Sequence, residues 1–206
     1  LDDGREIEIM GEPAVCEQLG TSCIGHETSV LTHSGTGPAL TIRGDATRVT
    51  LSHLAIFGHD RFQVPPAGAI VVLPSGRAKL IMESVRISGW SGTGITVAGG
   101  SIRMTNCDVV GNVGGGLAVG GSARLDVTDS CFRANGSETS IMGAVSLAIP
   151  HDSSNRLDEN LFSGGNTAQP GIGTAVDCTV AMTLHGNSIP RDQTVVGCLV
   201  EGQLGP

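Results

Sequence analysis

Five carboxylates and a histidine recur along the second half of the chain at positions that could do acid–base chemistry: Asp108, Asp126, Asp129, Asp158, Glu159 and His185. Arg103, Arg124 and Arg156 lie among them. Two carboxylates held ~5 Å apart can act as nucleophile and general acid on a glycosidic bond. An acid beside a base can also work on a uronic acid, and a carboxylate set can hold Ca²⁺. The same residues fit a solvated face on which arginines and carboxylates alternate and keep the surface soluble. The alternation favours this second reading. The choice between them turns on the elements that bring the residues side by side.

Those elements repeat. A kernel of apolar, two variable positions, a small residue or Asn, one variable, apolar, one variable and Gly matches "LSHLAIFG" (Leu51–Gly58), "MESVRISG" (Met82–Gly89) and "MTNCDVVG" (Met104–Gly111). It continues in "VTDSCFRA" (Val127–Ala134), "LDENLFSG" (Leu157–Gly164) and, more loosely, "LHGNSIPR" (Leu184–Arg191). The second anchors are Ile56, Ile87, Val109, Phe132, Phe162 and Ile189, so the kernel is constant and one corner varies in length. Before each kernel lies another short alternating strand, from "ALTI" (Ala39–Ile42) to "GIGTAV" (Gly171–Val176). Unequal spacing around a constant unit is the mark of a solenoid with loop insertions. The insertions are Asp60–Gly68, Ser137–Gly143 and Gly164–Pro170. With three strands and no helix per repeat, coils must stack strand on strand at about 4.8 Å, with right-handed crossovers. The expected fold is all-β: a right-handed parallel β-helix of about seven coils, one domain over 1–206. Residues 1–36 form irregular first coils, 37–192 the regular coils and 193–206 a terminal strand and tail. "REIEIMGEP" (Arg5–Pro13) reads as the remains of an earlier coil.

Composition agrees. There are 31 Gly but only 4 Phe, 1 Trp and no Tyr, so the core must be built from small branched side chains on short strands, with Gly at the corners. A net charge of −8 with a single Lys, Lys79, argues against nucleic acid and anionic membrane surfaces as partners. No apolar run is long enough to span a membrane. Cys16 and Cys23 bracket "CEQLGTSC" and are read as a loop-closing disulfide, with Cys178 and Cys198 as a second candidate pair; both imply an oxidising compartment. Cys107 is read as an inward apolar filler and Cys131 as an unbridged outward residue.

From about Gly37 to Arg191 the kernel resembles the repeats of the right-handed parallel β-helix, or pectate-lyase-like, superfamily. There an Asn at the small position stacks inward as a ladder, and Asn160 and Asn187 occupy that position here. The resemblance implies architecture more than activity, because the fold hosts lyases, hydrolases, epimerases, tail fibres and adhesins. In the polysaccharide enzymes of that superfamily the substrate lies over acidic and basic residues of the first strand. Here the outward positions of that strand are Thr41, Val71, Leu73, Thr96, Ala118, Ser146 and Ala148. The superfamily's Asp pairs, Gly-His-Gly and Arg-x-Lys motifs have no match.

Other features are weighed singly. Trp90 in "ISGWSGTG" could stack on a sugar ring or cover the core at its corner. His53, His59 and His185 project from corner or outward positions, where solvated side chains are favoured over a metal trio, and His26, His33 and His151 lie in loops with no ligand spacing. "RGD" at Arg43–Asp45 fits an exposed turn, and "NGS" at Asn135–Ser137 has the form of a glycosylation acceptor. Neither end carries an amphipathic helix to cap the raw strand edges, which points to a segment of a longer protein or to loops folded over the ends.

The expected function is a non-catalytic carbohydrate-recognition or structural module of an extracellular or cell-surface protein, with a polysaccharide or surface glycan as partner. Trp90, Arg103 and Arg124 are its candidate ligand contacts. No cofactor is expected, Ca²⁺ being the one that the carboxylates could take. The alternatives are a polysaccharide lyase, glycoside hydrolase or epimerase using the carboxylates and His185, and an oligomeric tail-fibre or adhesin segment.

Overall fold

The structure, a computed structural model, describes residues 5–11, 29–33, 36–58, 67–74, 77–150, 152, 154–168, 172–179 and 182–201. The regular elements among these residues are all strands, short runs rich in Val, Ile, Leu and Thr between Gly-rich corners. One coil runs through Thr93–Val97, Ser101–Thr105 and Asp108–Val110. The next runs through Gly115–Gly120, Arg124–Thr128 and Cys131–Arg133. Each strand pairs in parallel with its counterpart: Ile95 with Leu117, Ile102 with Leu125, and Val109 with Phe132. Repetition of this step makes a parallel solenoid with the expected three strand segments per coil.

The first segments form an eight-stranded sheet reaching from Leu40–Ile42 to Thr194–Val196. It is parallel throughout except where Thr167–Ala168 folds back antiparallel on Ile172–Cys178. The kernels form a ten-stranded sheet, and Thr183–His185 with Leu199–Glu201 form a small third one. Glu6–Met10 and Ser29–His33 both pair in parallel with Arg48–Gly58, so the stretch around "REIEIM" does lie as a strand of an earlier coil.

The kernel bends at its third position. His53, Ser84, Asn106, Asp129 and Glu159 all have φ between 50° and 58°, a left-handed conformation that turns one strand into the next. In Arg48–Gly58 and Lys79–Ser88 the strand continues through this bend, whereas in later coils it breaks there. The kernel's closing position repeats the demand: Gly89 has φ 77°, Gly111 64° and Ala134, in the same place, 51°.

Inside, like stacks on like. Ile56, Ile87, Val109, Phe132 and Phe162 form one column, closed by the stacked rings of Phe132 and Phe162 with centroids 5.3 Å apart. Leu51, Met82, Met104, Val127 and Leu157 form a second, and Ile42, Val72, Val97, Val119, Leu147 and Cys178 a third. None of these side chains is more than 5 % exposed, and burying each aliphatic one contributes roughly 1.5–3 kcal/mol.

Two polar ladders run through this core. In the anticipated one, the Cys107 amide donates to Ser130 Oγ at 3.1 Å, Ser130 to Asn160 Oδ1 at 2.9 Å, and Asn160 to Asn187 Oδ1 at 2.9 Å. The other lies outside the kernel pattern. The Asn112 side-chain amide donates to Asn135 Oδ1 at 3.0 Å, Asn135 to Asn166 Oδ1 at 3.3 Å, and Asn166 to Gln193 Oε1 at 3.2 Å. Asn112, Asn135 and Asn166 are at most 1 % exposed, so each rung satisfies groups that would otherwise be orphaned in the interior.

Two substitutions test this account by urea unfolding. Asn135→Ala, which leaves neighbouring rungs without a partner, lowers stability by about 1–3 kcal/mol. Ala134→Gly, which relieves an L-residue in the left-handed region, raises it by about 1 kcal/mol.

Candidate functional site

The charged side of the solenoid is built by the outward positions of the kernel strands. Register places Arg103 beside Asp126 and Asp126 beside Arg156 on successive coils. The Arg103 Nε–Asp126 Oδ2 separation is 3.3 Å, and Arg156 Nε donates to Asp158 Oδ2 at 3.0 Å. The other Asp158 oxygen accepts the His185 amide at 3.2 Å. His185 Nδ1 itself lies 3.3 Å from Glu201. The contact with Asp158 holds Arg156 above its ordinary pKa. Arg124 is exposed at the start of its strand. Asp129 and Glu159 are exposed at the left-handed bends of consecutive coils, one strand spacing apart.

Asp108 stands apart from this surface. It is 7 % exposed and lies between arginines of the coils on either side. Arg133 donates to its Oδ2 at 3.1 Å, and Arg86 Nε is 3.7 Å from the same oxygen. Arg86 also stands over the Phe57 ring, 5.9 Å from its centroid. Oδ1 of Asp108 accepts no hydrogen bond. Burial pushes the Asp108 carboxyl above its ordinary pKa, and the Arg133 and Arg86 guanidiniums offset this only in part. The candidate carboxylates are therefore divided: Asp108 and Asp158 are buried and ion-paired, Asp126 is ion-paired and half-exposed, and Asp129 and Glu159 face solvent.

The neutral side is equally regular. Thr41, Val71, Thr96, Ala118 and Ser146 stand in register along the eight-stranded sheet, as the alternation predicts, and the row ends at Asp177. The Ser137–Gly143 insertion is pinned beside this sheet, with Ser140 Oγ donating to the carbonyls of Gly114 and Met142.

Trp90 is core rather than platform. It is 2 % exposed, its Nε1 donates to the Ile56 carbonyl at 3.4 Å, and its ring stacks on His33 with centroids 5.8 Å apart. The sugar-stacking role expected of it is corrected accordingly: a Trp one residue past the corner Gly89 turns back into the coil, where its amide donates to Asn112 of the long ladder. Cys131 is also corrected. Parity does point it outward, but that column is covered, with Ala55 at 0 % and Asp108 at 7 %; Cys131 is 3 % exposed and disulfide-bonded.

Cys178 and Cys198 form a disulfide, while Cys16 and Cys23 lie outside the described residues. Cys107 is the free, buried thiol expected, and desolvation pushes its pKa up to about 12, so it is no nucleophile. Asn135 of "NGS" is wholly buried. Arg43 and Asp45 of "RGD" are exposed at a turn around Gly44, whose φ is 98°. Among the described residues no group of three His, Cys, Asp or Glu side chains is arranged to hold a metal ion. His26, His59 and His151 lie outside them.

Residues 67–203 match the family model described as right handed beta helix region, and the chain belongs to that family. No curated protein and no solved structure matches the chain.

Two measurements check these placements. Trp90→Ala removes a fully packed side chain and lowers stability by about 3–5 kcal/mol in urea unfolding. Because the folded chain binds the Asp108 proton more tightly than the unfolded chain does, this group's contribution is fully present below the ordinary carboxylate pKa. It is lost as pH rises through the raised folded value. The stability difference between wild type and Asp108→Asn therefore shifts in favour of wild type as pH is lowered through the carboxylate range.

Proposed function

We propose that this chain is a non-catalytic carbohydrate-recognition or structural module of an extracellular or cell-surface protein. The observation that carries the reading is the state of the carboxylates on the charged side. Asp108, Asp126 and Asp158 each face an arginine within 3.7 Å. A general acid or nucleophile needs an oxygen available to the substrate, and an oxygen already engaged by a guanidinium is not available in that way. The neutral sheet, a row of hydroxyls and methyls with no acid or base before Asp177, supports the same reading. A regular flat surface of this kind suits an extended glycan lying along it or a rigid spacer. The Cys178–Cys198 disulfide supports an oxidising compartment.

A second reading rests on Asp129 and Glu159, which face solvent at the bends of adjacent coils. A carboxylate pair at about the strand spacing is what a retaining glycosidase employs, so glycoside hydrolysis is the alternative activity at this site.

One experiment separates the readings. The protein is incubated with neutral and uronate-containing polysaccharides, with and without Ca²⁺. Ultraviolet absorbance follows unsaturated product, reducing ends are assayed in parallel, and retardation is measured in gels containing each polysaccharide. Retardation without product is expected. Turnover that disappears in Asp129→Asn while the fold is kept would sink the non-catalytic reading, and absence of both turnover and retardation would leave a spacer.

A further inference from the structure

The third core column, Ile42, Val72, Val97, Val119 and Leu147, ends at Cys178, which is 5 % exposed. Up to that point each aliphatic residue is covered by the next coil. In the following described residues the apolar cover is partial, with Val195, Cys198 and Val200 half-buried against the core. In residues 191–201 only Gln193 is buried, while Val196 is 52 % and Leu199 61 % exposed. Two short ladders hold this last half-coil. Thr194–Val196 lies on Ile172–Cys178 with a register shift, and Leu199–Glu201 lies on Thr183–His185 in a sheet separate from the main two. Gln193 adds one rung to the asparagine ladder through Asn166 and a bond to the Ser163 carbonyl. Three-residue ladders with only partial apolar cover are among the first parts of a fold to open.

The Cys178–Cys198 disulfide sits at this seam. It joins the last buried rung of the column to the exposed half-coil across 20 residues, close to one circuit of the solenoid. Gly197 follows the same logic, since a Cβ there would collide with the Cys178 carbonyl oxygen. The chain is drawn flat against the rung just before the half-cystine.

We propose that Cys178–Cys198 is a redox latch on the C-terminal half-coil: oxidised it holds residues 191–201 against the solenoid, and reduced it lets them detach while the preceding coils stay folded. The two sulfurs differ in access, Cys198 being half-buried and Cys178 interior. A thiolate from an external dithiol attacks Cys198 Sγ, the sulfur–sulfur bond breaks, and Cys178 leaves as a thiolate that takes up a proton. The second thiol of the reductant resolves the mixed disulfide, so the dithiol is oxidised as the pair is reduced. Detachment bares the edge of Ile172–Cys178 and the end of the asparagine ladder, both of which are covered in the oxidised form. The preceding coils keep their own columns, and Leu184 loses its register partner Val200.

The test is amide hydrogen exchange on the full chain, oxidised and after treatment with a dithiol. Cys178→Ser/Cys198→Ser is run alongside to separate this bond from that of Cys131. Cys178→Val/Cys198→Ala keeps the rung apolar in case serine is not tolerated there. Loop closure over this span predicts exchange roughly a hundredfold faster in residues 191–201 without the bond, with residues 93–150 unchanged. Protection retained in 191–201 after reduction and in both variants would overturn the proposal. So would loss of protection reaching 93–150 in the apolar variant, because the bond would then be holding the whole solenoid rather than its last half-coil.

Discussion

Every feature of this molecule depends on one constraint: each coil lies a single strand spacing from the next, so a residue's nearest neighbours are its own counterparts. Backbone pairing sets that spacing, and the side chains must accept it. Aliphatic residues accept it by stacking in columns, as Ile56, Ile87 and Val109 do. Amides accept it because Asn can donate to the coil on one side and accept from the other, as Asn135 does between Asn112 and Asn166. Charges can accept it by alternating in sign, as Arg103, Asp126 and Arg156 do. Stacked like charges at this distance repel, so alternation along this run removes a repulsion that the exposed Arg48–Lys79 step leaves to solvent screening.

That constraint explains what was legible in the sequence. The kernel, its strand partners, the inward anchors and the Asn160–Asn187 ladder follow from a pattern repeated with fixed internal spacing, and the neutral first-strand face follows from alternation along it. The long ladder through Asn112, Asn135, Asn166 and Gln193 was hidden because its residues fall three places past the second anchor in two coils and four places past it in the other two. A signal was present in the recurrence of Asn after the closing glycine or alanine, but the corner that carries it varies in length. The bend at the third kernel position was hidden for a different reason. His53, Ser84, Asn106, Asp129 and Glu159 share no chemistry, only a backbone conformation that is imposed by the fold.

The candidate site was less legible. Alternation gives the direction of a side chain but not what covers it, which is why Cys131 is directed outward and yet buried. It likewise brings Asp108 to the charged side without revealing that arginines from two other coils enclose it. For Trp90 the deciding contact is with the carbonyl of Ile56, which lies 34 residues earlier. Local sequence around a corner cannot report a partner on the neighbouring coil. Membership of the right-handed β-helix family fixes the scaffold on which these residues stand and leaves the chemistry to their individual surroundings.

The burial of Asn135 bears on how the chain can be made. Its Asn-Gly-Ser triplet has the form that an oligosaccharide-transferring enzyme recognises, yet the acceptor nitrogen is spent on the Val109 carbonyl and on Asn166 inside the solenoid. A sugar at that nitrogen and a closed ladder are mutually exclusive states of one side chain. In a compartment with glycosylation machinery, transfer competes with the stacking of the coil that carries Asn166, and a sugar once attached keeps the ladder open. The order in which coils assemble during synthesis, rather than the stability of the finished fold, then sets the fraction of chains that reach it.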